Sequence, residues 1–440
     1  MNQRLLKAVS LVSAAALMGG IILSGCSGSG NGSNSGGAAS TPSGGSSNGA
    51  EKTEIVVGRV APMTGSLASF GKGSLDVEEY AIESINADGG IYLEEYGKKL
   101  PVRFVMVDSE SDTTKASEGA TKLLNESGID VMITSHTADT VNPVSAACER
   151  AGIPCISVDT PADAWAANGP YTYSYHAGFN TENELSCFAD AWDAIDSNKT
   201  VGILAANDAE GIEMSGAIAE FAESRGYTVV DPGRFTSGTS DYTSIINDLK
   251  NAECDILMGV MITPDFSTFW KQCNQQGYVP KLCTIAKATL FVADVEAVAG
   301  GTDICDGLVS EVWWTPDHPF VSSITGETSK ELGDWWTAKY NEPAPATMGY
   351  KYANVEILVD ILERAGSLDP QKIIEATAAT NLDTCIGNVQ YNDEHVSVMN
   401  LVTGQWVYED GGYVQKIVLN TQIPECPLTG ELKTLPHSTR

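Results

Sequence analysis

Few residues of this 440-residue chain are spaced for chemistry, and the motifs that come closest each fail on a definite point. TGSLASFGKG, residues 64–73, resembles a phosphate-cradling loop and follows a β-branched run. Its glycines are one residue too far apart, however, and Gly73 stands where Ser or Thr would hold magnesium. Gly45-Ser46-Ser47-Asn48-Gly49 has the spacing of a nucleophile elbow but neither a strand before it nor a helix after it, so it is a chance match. No full G-x-G-x-x-G sits between a strand and a helix. The histidines His136, His176, His318, His395 and His437 are scattered, with no H-x-x-x-H. His136 ends a predicted strand and so can reach a cleft, although a hydrogen-bonded structural histidine is the commoner case. Carboxylates abound, and no pair stands out as an acid–base dyad. Besides Cys26 there are nine cysteines, none in a C-x-x-C, which removes the usual zinc and redox spacings. Their odd number in a large chain argues against a disulfide scaffold. Several lie in apolar runs such as GIPCIS and ECDILMG, where a thiol packs as a small hydrophobe; there is room for one or two bridges. The sequence calls for no cofactor, no metal and no catalysis.

Cys26 is the exception. Arg4 and Lys7 precede an apolar run from Ala8 to Leu23, too short for a comfortable transmembrane helix. The run ends in Leu23-Ser24-Gly25-Cys26, which resembles a bacterial lipobox. There the leader, residues 1–25, is removed and the cysteine thiol carries a diacylglyceryl group. More than one acyl chain gives stable anchoring. Residues 27–50 are mostly Gly, Ser and Asn and can bury little apolar surface, so 26–52 reads as a lipidated cysteine on a flexible tether. Such a tether spans roughly 25–30 Å, and the globular part then floats just off the outer face of a membrane.

Composition bounds the rest. The 42% apolar content supports proper cores, and the roughly 390 residues after the tether suffice for two or three domains. Net charge is −31, and −33 once Arg4 and Lys7 are lost. A surface that acidic repels phosphate backbones and anionic headgroups, which excludes nucleic acid and leaves the lipid anchor as the sole membrane contact. From Glu54 onward, short β-branched runs alternate with helical stretches of ten or more residues, the pattern of parallel β-α-β units. The alternation restarts after YTYSY, which implies two doubly wound domains. Helices near 327–340, 347–365 and 370–379 follow, then extended segments, and 427–440 reads as a loose tail.

The order of motifs carries a resemblance. VGRVAPMTGSLASFGKGSLDVEEYAIESINADGGI resembles the opening of leucine/isoleucine/valine-type substrate-binding proteins. KKLPVRFVMVDSESDTTKASEGATKLL, VNPVSAACERAGIPCISVDTPA and GNVQYNDEHV resemble later segments of the same family. Together they span about residues 53 to 420. The resemblance implies a type I periplasmic-binding fold, two doubly wound α/β lobes joined by a three-strand hinge. The expected lobes are 53–175 with 308–384 and 176–307 with 385–425, followed by a tail, 426–440. It also implies a monomeric, extracytoplasmic solute-binding lipoprotein that delivers a small organic solute to the permease subunits of an ABC importer. The alternative is a sensory lipoprotein of the same fold that signals to a membrane receptor. An enzyme is a distant third.

Ligands of open parallel sheets lie beyond the carboxyl ends of the strands. In the first lobe this selects Phe70, then His136, Thr137 and Ala138, then Asp159 and Thr160. In the second it selects Asn207 and Asp208, Thr263, and Lys287. Trp313 or Trp314 follows a crossover and can form an aromatic wall; adjacent side chains on a strand face opposite ways. Residue-by-residue transfer from the family partly fails. Amino-acid binders use a hydroxyl near Ala138 and an acid near Lys287. With Lys287 in that place, the expected ligand is an amino-acid-like solute, a carboxylate or an aromatic acid. Lys287 then meets either the ligand carboxylate or Asp159 across the cleft.

Overall fold

The computed structural model describes residues 52–440. The leader, Cys26, the tether and its Gly45–Gly49 motif lie outside the described residues. The chain begins with β1 (Ile55–Ala61), α1 (Ala68–Gly71), α2 (Ser74–Ala87), a small hairpin of β2 (Ile91–Leu93) and β3 (Lys98–Leu100), β4 (Val102–Asp108) and α3 (Thr113–Glu126). It continues through β5 (Val131–Ser135), α4 (Ala138–Ala151), β6 (Cys155–Val158), α5 (Ala162–Ala166) and β7 (Ser174–Gly178). The second series runs α6 (Thr181–Asp193), β8 (Thr200–Ala205), α7 (Ala209–Ser224), β9 (Thr228–Val230), α8 (Thr243–Asn251) and β10 (Ile256–Val260). It ends with α9 (Thr263–Gln276), β11 (Leu282–Ala286), α10 (Val292–Ala299) and β12 (Val309–Val312). Then come α11 (Ser329–Tyr340), α12 (Met348–Ala365), α13 (Pro370–Ala378), a hairpin of β13 (Asn381–Thr384) and β14 (Gly387–Gln390), β15 (Val396–Val398), β16 (Val402–Glu409) and β17 (Gly412–Leu419).

These strands form two large sheets. The first has the order β15-β7-β6-β5-β1-β4 and is parallel throughout. The second has the order β17-β16-β12-β11-β10-β8-β9, in which β16 runs antiparallel to both its neighbours, β12 and β17, and the strands from β12 to β9 are parallel. Parallel strands covered on both faces must be apolar along their whole length. Accordingly every residue of β5, β6, β10 and β11 is buried. Helix starts carry side chains that accept from free N–H groups: Asp112, Asn180, Asp208 and Asp369, with a reciprocal Thr328–Glu331 capping box on α11. α12 is buried over most of its length and packs against α2 and β6, so the late helices complete the first lobe.

The chain passes between lobes after β7, after β12 and between β15 and β16. Thus β12, downstream of residue 308, is a strand of the second sheet, and β15, downstream of 385, is a strand of the first. The C-terminal segment is not the loose tail its composition suggests. Leu435 is buried and its N–H donates to Lys281 O at 2.8 Å. Arg440 Nε lies 3.3 Å from Asp255 Oδ1. One apolar anchor and one guanidinium opposite a nearly buried carboxylate suffice to pin it. The nine described cysteines are all buried and unbridged.

Candidate functional site

The carboxyl ends of the two sheets face each other. Three residues that directly follow strands there have left-handed backbones without being glycine: His136 (φ 102°), Asp159 (φ 62°) and Lys287 (φ 72°). Such conformations cost energy and persist only where surrounding contacts enforce them. For Asp159 the contact is visible, since its Oδ1 accepts the His136 N–H and ties the β5 turn to the β6 turn.

Beneath these turns the first lobe carries a buried polar network. Arg59, in the middle of β1, lies 2.6 Å from Glu78 Oε1 on α2, with both side chains fully buried. Its Nη2 also reaches Ser135 Oγ and, at 3.1 Å, His136 Nε2. Lys351 on α12 donates to Lys72 O at 2.8 Å and to Thr347 Oγ1 at 3.1 Å. Burial pushes Asp159 up to about 8 against the pull of Lys351, the His136 N–H and Arg59. Burial likewise raises Glu78 to about 7 and lowers Lys351 to about 7. His136 is held well below the usual histidine range by burial, with Arg59 and Lys351 adding to the effect, so its ring is neutral at pH 7.

The second lobe presents Lys287. Its Nζ lies 2.8 Å from Glu210 Oε2 and 3.6 Å from Asp208 Oδ2. Of the two partners expected for this lysine, a ligand carboxylate or Asp159, neither is required: acids of its own lobe neutralise it. Asp208 also caps α7, accepting from Gly211 N at 2.7 Å. Thr263 Oγ1 donates to Ala288 O at 3.1 Å and steadies the turn after Lys287. Asn207 is exposed and its Oδ1 accepts from Arg234 Nε at 3.4 Å, so it stands apart from the buried group.

Aromatic rings close the space between the lobes. Phe70 meets Phe291 edge-on at 4.9 Å and Trp313 at 6.0 Å; Phe179 and Tyr350 flank Trp313 at 5.1 and 6.4 Å. Trp314 turns the other way, donating from Nε1 to Cys385 O at 3.0 Å. Gly349 packs so closely on its indole that a Cβ there would lie 2.3 Å from the ring. Ser69 Oγ crosses the cleft to Asp294 Oδ1 at 3.0 Å. A groove of about 550 Å³ also runs between the lobes, lined by Ser69, Leu290, Phe291, Thr315, Trp406 and Tyr413. It shares Phe291 with the aromatic cluster but touches none of the residues selected from the sequence.

The geometry also brings in residues that sequence reasoning passed over: Asp139, Glu184, Glu210, Glu311 and Tyr350. Glu184 and Glu210 sit in the first turns of α6 and α7, where acids are common and unremarked. Glu311 was the findable one, a charged residue inside the fully buried run of β12. Several buried polar atoms here have no hydrogen-bond partner: Thr137 Oγ1, Thr160 Oγ1, Asp159 Oδ2, Tyr350 OH, both oxygens of Glu184 and Glu311 Oε2. Among the described residues no cluster suits a metal ion.

A family model described as periplasmic binding protein matches residues 54–412. The chain belongs to that family. It is 25% identical over 339 residues to the Leu/Ile/Val-binding protein homolog 8 of Brucella abortus (strain 2308), covering 75% of this chain and 81% of that protein. The leucine binding protein LivK of Thermotoga maritima superposes with a TM-score of 0.71 at 17% identity, over 83% of this chain and 99% of that one. A solute binding protein of an ABC transporter from R. palustris, solved with 4-hydroxybenzoate, does so with a TM-score of 0.69 at 16% identity, over 83% and 96%. This periplasmic binding protein therefore has the type I fold, works outside the cytoplasm and binds substrate rather than transforming it. Among its described residues no helix is long and apolar enough to cross a membrane.

Proposed function

We propose that this binding protein captures one small organic solute between its lobes and hands it to an ABC permease while anchored through Cys26. The observation that carries the reading is the set of partnerless polar atoms between the lobes. A buried hydroxyl or carboxylate without a partner costs about 1–3 kcal/mol. Here such groups come from the turns after β5 and β6 (Thr137, Asp159, Thr160), from α12 (Tyr350), from α6 (Glu184) and from β12 (Glu311), and a solute held between the lobes would supply their missing partners. In this reading Thr137, Ala138, Asp159 and Thr160 contact the solute from the first lobe, with Phe70 and Trp313 as its walls. His136 holds the Asp159 turn, and Asp208, Thr263 and Lys287 shape the opposing face. Relatives named for leucine and one solved with 4-hydroxybenzoate support a solute of amino-acid or single-ring size. The protein acts as a monomer.

The test is mass spectrometry of molecules carried through purification, followed by return of the identified molecule to stripped protein. Its return should raise the melting temperature and reduce the radius of gyration as the lobes close. A molecule that binds without compaction refutes the clamp.

A further inference from the structure

Resting on the reading that solute binds between the lobes, we propose that this solute carries a net positive charge. Its ammonium or guanidinium group seats against Glu184, Glu210 and Glu311 beside the Trp313 wall.

The argument is an inventory of charge at the carboxyl end of the second sheet. Lys287 is the one cation that the described second-lobe residues bury there. Glu210 and Asp208 already hold it, and Asp139 reaches toward it from the start of α4 in the first lobe. Glu184 and Glu311 are each 1% exposed and belong to the same group, since the charges that act on Glu184 are Glu311, Glu210, Glu213 and Lys287. Five carboxyl groups thus gather around one ammonium. The first lobe offers no relief, because Arg59 is spent on Glu78, while Lys351 lies among Asp159, Arg59 and Glu78.

The second observation is independent of the count. Both Glu184 oxygens and Glu311 Oε2 lack any donor, although these side chains are almost completely enclosed. The Lys287 N–H reaches only the other Glu311 oxygen, at 3.3 Å. The Trp313 indole Nε1 lies near Glu311 without hydrogen-bond geometry, which places this carboxylate at the aromatic wall. Burial, then the mutual repulsion of the acids, holds Glu184 well above the ordinary carboxylate range, and burial pushes Glu311 up to about 8. A ligand carboxylate would find no unpaired cation here, since Lys287 is already held by Glu210 and Asp208. A cationic group supplies the missing donors and favours the ionised form of Glu184 and Glu311 against it, and an adjacent indole face favours it further.

The experiment uses stripped protein at pH 7.4 and probes that differ mainly in charge: phenethylamine, agmatine and choline against phenylacetate, 4-hydroxybenzoate and leucine. Calorimetry should show at least one of the amines binding tenfold or more tightly than every acid and than leucine. Glu184→Gln and Glu311→Gln should each weaken that amine about tenfold or more. They should leave the ligand-free melting temperature unchanged or raised, because each replaces a buried carboxyl group that burial disfavours and that lacks a hydrogen-bond partner. Phenylacetate, 4-hydroxybenzoate or leucine binding more tightly than every amine overturns the charge assignment and leaves the solute-binding reading intact. So does an amine whose affinity survives both variants. If none of the probes binds and an extract of small molecules from growth medium produces no thermal shift, the solute-binding reading itself falls and this inference falls with it.

Discussion

Replacing Lys287 with Met removes one buried positive charge and strands the groups that surround it. The lysine side chain is 3% exposed and Glu210 is 7% exposed, with 2.8 Å between their charged atoms. Burial pulls the ammonium down, but Glu210, Asp208 and Asp139 outweigh it and hold the lysine above its ordinary 10.5. A lysine raised in the folded state contributes stability that is fully present below 10.5 and is lost as the pH rises through the higher folded value. At neutral pH the whole contribution is therefore in place. Removing one partner of a buried pair costs about 3–5 kcal/mol, because the remaining charge has neither water nor counterion. Asp208, one-fifth exposed and 3.6 Å away, is better screened by water than Glu210 and is the lesser of the two partners. Glu210 is already raised by burial, and without Lys287 it rises further. An acid raised on folding destabilises above its unfolded pKa, so the deficit should shrink as the pH falls through the raised value of Glu210 toward the ordinary carboxylate range. Changing Glu210 to Gln as well removes the stranded charge and should recover most of the loss. Urea unfolding followed by circular dichroism compares the native protein with both variants. A single-variant loss below about 1 kcal/mol, or a double variant no more stable than the single, would show that this pair is not the buried ion pair described.

Four further outcomes are expected. Cys26→Ser should leave the precursor uncleaved or release the protein from the detergent phase of a membrane extract; unchanged processing and partitioning would end the anchoring idea. Trp314→Ala, which empties a packed site against Gly349, should cost about 3–5 kcal/mol in denaturant, whereas Trp313→Ala should chiefly weaken solute binding; equal stability losses would contradict their opposite orientations. His318 is lowered to about 3 by burial, so it contributes stability present above 6.5 and lost as the pH falls toward 3; His318→Phe should blunt acid unfolding in a pH titration, and an unchanged acid midpoint would count against it. Leu435→Ala should destabilise the protein by about 2–5 kcal/mol, measured by thermal melting; a neutral result would return the C-terminal segment to the loose tail that its composition suggests.

The two-lobed alternation was legible because its period is a local property. Runs such as GILAA and ILMGV are apolar without a break, as strands buried on both faces are. The ends of those strands were equally legible, which is why His136, Asp159 and Lys287 could be selected before any geometry. Glu184 and Glu210 were not, since an acid in the first turn of a helix is ordinary and nothing local reports what the turn will face. The binding role of each selected residue stands as a proposal.

The sequence by itself determined the element order, the parallel β-α-β units of both lobes and the edge where a ligand belongs, because periodicity and the alternation of strand and helix follow from neighbouring residues. Only the tertiary structure decided that Trp313 faces the cleft and Trp314 the first lobe, that β15 joins the first sheet, and that Lys287 is neutralised by Glu210 and Asp208. Those outcomes depend on which helix starts converge on one sheet edge. Residues such as 184, 210, 287 and 311 are far apart along the chain, and only the folded backbone brings their charges close enough for each to set the state of the others.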